Sequence, residues 1–279
     1  MFKYIPLFCF LLFASCATET SNNQALSEEK TPPVATEVAT TVTPQKAPVQ
    51  TVEMTSDITP TLEYVTGRFD PAKHEDFVKM KPPFAEDNSM YLRKEVYAAF
   101  QEMHAAAKAD GVDLLIRSAT RNFKRQKQIW EAKWTGERKI EGGKDASKTW
   151  PKPADRALTI LKWSSMPGTS RHHWGTDVDF NAFENDYFEE GKGLKEYEWL
   201  TANAANFGFC QPYTSKTDGR TGYNEEKWHW TYMPTSKIYT DFAKARLRDG
   251  YIAGFKGADT AKEIRVVQNY VLGINPACK

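Results

Sequence analysis

The sequence predicts an α+β domain in which a small antiparallel sheet is flanked by helices. After about residue 58, segments with the 3.6-residue period of helices and short alternating segments typical of strands follow one another without regular βαβ order. Hydrophobic residues make up 41% of the chain and aromatic residues 13%, which is enough for a large core. The formal net charge of +1 gives no indication of a nucleic-acid partner.

The first 58 residues are expected to lie outside this domain. Residues 1–16 contain Lys3, the apolar run IPLFCFLLFA and then FASC, a pattern typical of a bacterial lipoprotein signal that leaves Cys16 as the lipidated residue. A plain cleaved secretory signal is the alternative. Residues 17–58 contain neither glycine nor aromatic residues and show no apolar period, so they are expected to form a disordered tether.

These features predict an exported lipoprotein. We expect residues 59–279 to form a monomeric domain that faces the periplasm or cell wall, held to the membrane by a lipid anchor. Such a compartment is oxidising, so Cys210 and Cys278 can form a disulfide there. A buried free thiol at Cys210 is the alternative.

The first elements of the domain follow from apolar spacing and capping residues. Residues 91–111 have a helical apolar period that ends at Gly111, a residue typical of helix C-termini. Residues 112–118, VDLLIRS, then indicate a strand. Residues 122–134 predict a second helix with Asn122 as its N-cap.

A long connection rich in glycine and lysine, residues 135–153, comes next and is typical of a lid or binding loop. The later segments alternate helical and extended patterns. We expect helices at residues 154–163, 194–208, 238–250 and 261–273, and strands at 176–180 and 226–233.

The stretch SRHHWGTDVDF, residues 170–180, holds four residues that can bind a metal ion. These are His172, His173, Asp177 and Asp179, and a catalytic zinc commonly takes two histidines and one carboxylate. Because an extended chain would separate the histidines from the aspartates, the chain must turn back between them. Gly175 lies where such a turn is allowed.

The stretch NEEKWHWTY offers the remaining groups. His229 can complete the ligand set, and Glu226 lies three residues before it. At that spacing the carboxylate can serve as a general base for water activated by zinc. A histidine packed between two tryptophans is the alternative for His229.

Together, these pieces resemble the zinc D-alanyl-D-alanine carboxypeptidases of the VanY type, which share their fold with D-Ala-D-Ala dipeptidases and the Hedgehog signalling domain. The pattern S-x-H-x-x-G-x-x-x-D begins at Ser170, and E-x-W-H follows at residues 226–229. The segment SATRNFKRQ, residues 118–126, is similar to the family's S-G-Y-R-S-x-x-x-Q. The resemblance spans about residues 90–235.

The resemblance implies a role for each matched residue. His172, Asp179 and His229 would bind zinc, and Glu226 would deprotonate water and return the proton to the leaving amine. Arg121 would hold the substrate or stabilise the oxyanion. The residues implied to help position the peptide are Gln126, Ser170 and Trp228.

Some residues depart from the family pattern. Asp177 replaces a usual alanine and is expected either to compete for the metal or to hydrogen-bond a ligand. His173 replaces a common glutamine, so register favours His172 as the ligand. The segment SAT replaces SGY, so a substrate-wall aromatic is either missing or supplied by Phe123.

The resemblance implies a zinc metallopeptidase of the cell wall. Its substrate would be the peptidoglycan stem peptide, from which it would remove the terminal D-alanine as a D,D-carboxypeptidase. The alternatives are an L,D-carboxypeptidase, a cross-link endopeptidase of the same fold, or a non-catalytic zinc-containing binding module.

Overall fold

The structure, a computed structural model, describes residues 58–279 of the chain. The expected signal, the lipidation site Cys16 and the tether up to residue 57 lie outside the described residues. Within the described part, none of the helices is both long enough and apolar enough to cross a membrane.

The helices surround two small sheets. The α-helices are α1 (Leu62–Val65), α2 (Lys94–Ala109), α3 (Phe123–Trp134), α4 (Ala146–Thr149), α5 (Pro153–Ile160), α6 (Gly191–Asn203), α7 (Met233–Arg246) and α8 (Thr260–Ile264). Single 3₁₀ turns lie at Pro71–Lys73, Arg171–Trp174, Asn185–Phe188, Ala204–Phe207, Lys216–Asp218, Asp249–Tyr251 and Pro276–Cys278, and a π-helical turn lies at Val267–Val271.

The strands form one two-stranded and one four-stranded sheet. The strands are β1 (Phe77–Lys79), β2 (Tyr91–Arg93), β3 (Ile116–Ser118), β4 (Asp177–Phe180), β5 (Phe209–Cys210) and β6 (His229–Tyr232). Strands β1 and β2 pair with each other, and the larger sheet has the order β3-β4-β6-β5 with every neighbouring pair antiparallel. This confirms the predicted α+β class with a small antiparallel sheet.

The two faces of the larger sheet differ in chemistry because side chains alternate along each strand. Val178 and Trp230 are cross-strand partners on one face, where they join a core with Phe100 and Met103 of α2. Asp179 and His229 are partners on the opposite face. One face of the sheet therefore carries buried polar groups, and the other face packs into the hydrophobic core.

The capping signals at two helices are confirmed. Asn122 caps α3, since its Oδ1 accepts a hydrogen bond from the backbone N–H of Arg125 at 2.9 Å. Gly208, which follows the 3₁₀ turn after α6, has φ of +80°, a conformation that glycine adopts readily. Helices α5 and α7 begin with prolines in their first turn, where a missing backbone N–H is tolerated.

Several predicted boundaries are wrong; the helix expected at 238–250, for example, spans Met233–Arg246. The helix expected from residue 91 begins at Lys94, because residues 91–93 pair with β1 instead. The strand expected at 112–118 is shortened to Ile116–Ser118. The final helix, expected at 261–273, ends at Ile264, because Arg265 adopts φ of +54° and the chain restarts as a π-helical turn.

A disulfide joins Cys210 of strand β5 to Cys278 at the C-terminal turn. Their Cα atoms are 5.8 Å apart, across 68 positions of sequence. Of the two alternatives for Cys210, the structure has the disulfide rather than the free thiol. The bond ties the C-terminal segment to the edge of the larger sheet.

Candidate active site

A cleft of about 1100 Å³ opens over the polar face of the larger sheet. Its floor includes Asp179 of β4 and His229 of β6, and one wall is helix α3. The connection that the sequence indicated as a binding loop lines the cleft from Arg138 to Gly143. The cleft therefore gathers residues from four separate parts of the chain.

Strand pairing places Asp179 beside His229. The two residues lie directly opposite in the β4–β6 register, and Ser118 of β3 is the partner of Asp179 on its other side. Side chains of such partners lie on the same face of the sheet. As a result, Asp179 Oδ1 is 3.1 Å from His229 Nδ1.

A tight turn brings His172 to the same point. The 3₁₀ turn at Arg171–Trp174 ends at Gly175, whose φ of +74° reverses the chain into β4. A Cβ atom at Gly175 would lie 2.5 Å from the ring of Phe77, so the turn also needs the missing side chain. His172 Nε2 then lies 3.3 Å from Asp179 Oδ2.

Hydrogen bonds leave one nitrogen of each imidazole facing inward. His172 Nδ1 donates to the carbonyl oxygen of Ala119 at 2.9 Å, which leaves the Nε2 lone pair directed at Asp179. His229 Nε2 donates to Asp177 Oδ2 at 2.9 Å, which leaves its Nδ1 lone pair directed at Asp179. Partners of this kind fix the tautomer of histidines that bind metals.

These atoms fit a metal ion. The ligand atoms of His172, Asp179 and His229 lie within 4.8 Å of one another, and all three residues are buried. Within residues 58–279, Asp179 Oδ1 has no hydrogen-bond donor. Two histidines and one carboxylate are a ligand set typical of catalytic zinc.

The charges around His229 favour a cation at this point. Burial lowers the pKa of His229, but Asp177, Asp179 and Glu226 together raise it well above the usual range. The pKa of Asp179 is raised by burial and lowered more strongly by His172 and His229, so the net shift is downward. Positive charge, from a proton or a metal ion, therefore stabilises this cluster.

Glu226 lies beside the three-residue cluster without belonging to it. Its Oε2 is 3.4 Å from His229 Nδ1, and its backbone N–H donates to the carbonyl oxygen of Tyr213 at 2.9 Å. Burial raises the pKa of Glu226 above its ordinary value, against the opposing effect of His229. A carboxyl group with a raised pKa can both accept and return a proton near neutral pH.

Arg121 approaches the cluster from the side of strand β3. Its guanidinium donates to Ser118 Oγ at 2.9 Å and lies 3.9 Å from Asp179 Oδ2. Its backbone N–H donates to the carbonyl oxygen of His172, and its own carbonyl oxygen accepts from His173. The same residue therefore positions both histidines and presents a cation to the cleft.

The three residues expected to position a peptide also line the cleft. Gln126 donates from Nε2 to the carbonyl oxygen of Ser165, and its Oε1 has no partner among the described residues. Ser170 Oγ is likewise buried without a partner in the described part of the chain. The indole of Trp228 stacks on that of Trp163, with 6.0 Å between ring centroids.

Two residues whose roles the sequence left open have definite partners. His173 donates from Nδ1 to the carbonyl oxygen of Arg121 and accepts the N–H of Gly168 at Nε2, so both its nitrogens are used within the protein. Burial lowers its pKa to about 3. Asp177 hydrogen-bonds His229, a candidate ligand, which corresponds to the second of its two expected roles.

Sequence reasoning did not identify three further residues of the cleft. Ser118 contacts Arg121, Tyr213 packs against His229 with 4.6 Å between ring centroids, and Lys133 lines the wall formed by α3. Lys133 follows Gln126 by seven positions, so helical spacing indicates that the two share a face. Phe123, the proposed replacement aromatic, instead lies under the Arg68 guanidinium at 3.9 Å and outside the cleft lining.

Comparison with known proteins gives one family match. The family model described as VanY, D-alanyl-D-alanine carboxypeptidase, matches residues 89–235. A D-alanyl-D-alanine carboxypeptidase of Enterococcus faecalis is 34% identical over 142 residues, which are 50% of this chain and 48% of that protein. Protein YodJ of Bacillus subtilis is 31% identical over 147 residues, which are 51% and 46% of the two chains. The chain thus matches about half the length of these curated relatives.

Two solved structures also resemble the chain. A mutant of the vancomycin-resistance D,D-pentapeptidase VanY in complex with Zn(II) is 26% identical, with a TM-score of 0.44 over 61% of this chain and 86% of that one. The LD-carboxypeptidase LdcB is 22% identical, with a TM-score of 0.46 over 63% of this chain and 75% of that one.

Proposed function

The chain belongs to the VanY family of D-alanyl-D-alanine carboxypeptidases, and on this premise we propose that it is a zinc-dependent D,D-carboxypeptidase of peptidoglycan stem peptides. One observation carries the proposal. The buried cluster of His172, Asp179 and His229 leaves Glu226 3.4 Å from the ligand nitrogen of His229, free of the ligand set itself. A protein that only binds a peptide has no need of such a carboxylate.

Zinc held by these three residues would polarise the scissile carbonyl and acidify the attacking water. Glu226 accepts the proton of that water at its carboxylate and delivers it to the nitrogen of the departing D-alanine. The raised pKa of Glu226 suits both halves of this transfer.

Arg121 supplies fixed donors to the substrate. Its guanidinium reaches the cleft beside Asp179, and its Nε has no partner within residues 58–279. We assign this donor to the oxygen that becomes negatively charged during attack. Gln126 Oε1 and Ser170 Oγ are two further buried polar atoms that we assign to the peptide.

The direct test is release of D-alanine. The purified protein, reconstituted with one equivalent of zinc, is expected to convert a pentapeptide ending in D-Ala-D-Ala to the tetrapeptide, and a chelator is expected to stop the reaction. Mass spectrometry of digested muropeptides separates the alternatives, since an L,D-carboxypeptidase shortens tetrapeptides and an endopeptidase releases cross-linked partners. Either of those products without D-alanine release from pentapeptides contradicts the D,D assignment.

We also propose that the protein is an exported lipoprotein anchored through Cys16. The basis is the sequence of residues 1–16 and the composition of the residues up to 58. Metabolic labelling with a radioactive fatty acid is expected to mark the wild-type chain and not the Cys16→Ala variant. Equal labelling of the two proteins contradicts the anchor.

A further inference from the structure

A half-buried lysine in the wall of the cleft forms no ion pair with a carboxylate of the described residues. Lys133, on the cleft face of α3, donates a hydrogen bond from Nζ to Ser164 Oγ. An ammonium group has three donors, so this contact leaves two of them unused. Within residues 58–279, the structure forms no ion pair between Lys133 and a carboxylate.

Two other cations of the cleft are neutralised by carboxylates. Lys139 Nζ lies 2.9 Å from Asp145 Oδ2, and Arg117 Nε lies 2.7 Å from Glu86 Oε2. Arg138, which lines the cleft near Lys133, forms no such pair in the described part of the chain. Lys133 and Arg138 are therefore two interacting cations of the cleft that no carboxylate of the described residues neutralises.

The surroundings of Lys133 disfavour its charge. Burial, and after it the neighbouring Arg138 and Arg121, lower the pKa of Lys133 to about 8, although Glu226 acts in the opposite direction. A desolvated charge without a partner destabilises a fold. Such a residue is explained most simply by a negative group that arrives with the ligand.

We propose that Lys133 and Arg138 form a subsite for an acidic group of the peptide substrate, upstream of its terminal residue. The inference rests on the proposed function, because it extends the same cleft. Gln126 and Lys133 are seven residues apart on α3, so their Cα atoms are separated by about 10 Å along the helix axis. That distance matches about three residues of an extended peptide.

Binding of two matched peptides tests the subsite. Both end in D-Ala-D-Ala, and they differ only in carrying Glu or Gln three residues before the end. Their Kd values are measured by calorimetry on full-length zinc-loaded Glu226→Gln protein, which is expected to leave the peptides intact. We expect the Glu peptide to bind about tenfold more tightly, as one charge-assisted hydrogen bond would give.

Variants of Lys133 test whether this residue causes the preference for the Glu peptide. Adding Lys133→Met is expected to weaken only the Glu peptide and bring the ratio of Kd values near one, whereas Lys133→Arg retains the preference. Lys127→Met is the matched control, because Lys127 lies on the same helix but its Nζ bonds the carbonyl oxygen of Gly254, 2.7 Å away and outside the cleft. Lys127→Met removes the same charge from the helix and is expected to leave the ratio of the two Kd values unchanged.

Four outcomes overturn the inference. They are equal binding of the two peptides by the starting protein, a ratio that survives Lys133→Met, a loss that affects both peptides equally, and failure to bind either peptide at millimolar concentration. The proposed function fails separately, if protein with Glu226 intact releases no D-alanine although the Glu peptide is preferred in binding.

Discussion

Asp177 holds the imidazole of His229 from the side opposite to Asp179. Its Oδ2 accepts from His229 Nε2 at 2.9 Å and from Arg171 Nε at 3.1 Å, and Asp177 and Arg171 are both fully buried. Thr231 Oγ1 donates to the other carboxylate oxygen at 2.6 Å. Burial raises the pKa of Asp177, but Arg171 and His229 lower it more, so the group stays ionised and orients its ligand partner.

Asp177→Asn is therefore expected to weaken zinc binding about 10- to 100-fold while leaving the three ligands in place. The variant also leaves Arg171 with a neutral partner in a buried site, so the free energy of unfolding should fall. Competition with a chromophoric chelator measures the affinity. Asp241→Asn, on the exposed face of α7, is the control and is expected to leave zinc affinity unchanged. An unchanged zinc affinity in Asp177→Asn would refute the orienting role of Asp177.

Glu226→Gln separates a catalyst from a binding module. The amide cannot accept the proton of water, so we expect kcat for D-alanine release to fall by at least about 100-fold. Zinc content, measured by elemental analysis, should stay near one ion per chain because Glu226 is not a ligand. If the variant keeps its full rate, general-base catalysis by this residue is wrong.

Lys133→Met is expected to stabilise the protein near neutral pH. The pKa of Lys133 is about 8 in the folded state against 10.5 ordinarily, so between these values the unfolded chain binds more protons than the folded one. The stability of the wild type should therefore rise with pH across this window relative to the variant. Below pH 8 we expect the variant to be more stable by about 1–3 kcal/mol.

Urea unfolding of the two proteins between pH 6.5 and pH 9.5 measures this difference. We expect the variant's advantage to shrink steadily above pH 8. A variant that is less stable than the wild type at pH 7 would mean that Lys133 supports the fold. In that case the contribution of Lys133 to stability would explain its partial burial, and no ligand would be needed to explain it.

Removing the Cys210–Cys278 disulfide is expected to lower the free energy of unfolding by about 2–4 kcal/mol. The reason is that the bond restricts the unfolded chain over a separation of 68 residues. The double variant Cys210→Ala/Cys278→Ala avoids leaving a free thiol, and chemical denaturation compares it with the oxidised wild type. Zinc affinity serves as the control and should not change, because neither cysteine contacts the cluster. An unaltered midpoint of chemical denaturation would contradict the prediction.

The candidate ligand set was largely accessible from sequence. A glycine between the histidine pair and two aspartates implied a reversal of the chain, and alternation along a strand then placed Asp177 and Asp179 on one face. Which aspartate joins His172 and His229 in the candidate metal site could not be derived from alternation. That choice depends on the β4–β6 register and on Arg171, whose guanidinium forms an ion pair with Asp177.

The limits of sequence reasoning lie in long-range burial. The break at Arg265 follows from a left-handed backbone in a segment whose apolar period continues through it. Lys133 looks like an ordinary solvated residue of a basic helix, but in the structure it lines the cleft together with Arg138. Neither feature has a recognisable local pattern, because the first is the backbone conformation of one residue and the second depends on a cleft that separate segments form together.

The opposed faces of strands β4 and β6 have a consequence for how substrate preference can be changed. Sliding either strand by one position would expose Val178 and Trp230 to the cleft and push carboxylates into hydrocarbon, so the strands tolerate almost no adjustment. The wall formed by α3 and the following connection has no such restriction. Directed evolution toward other peptides should therefore accumulate its productive changes on that wall and leave the strands untouched.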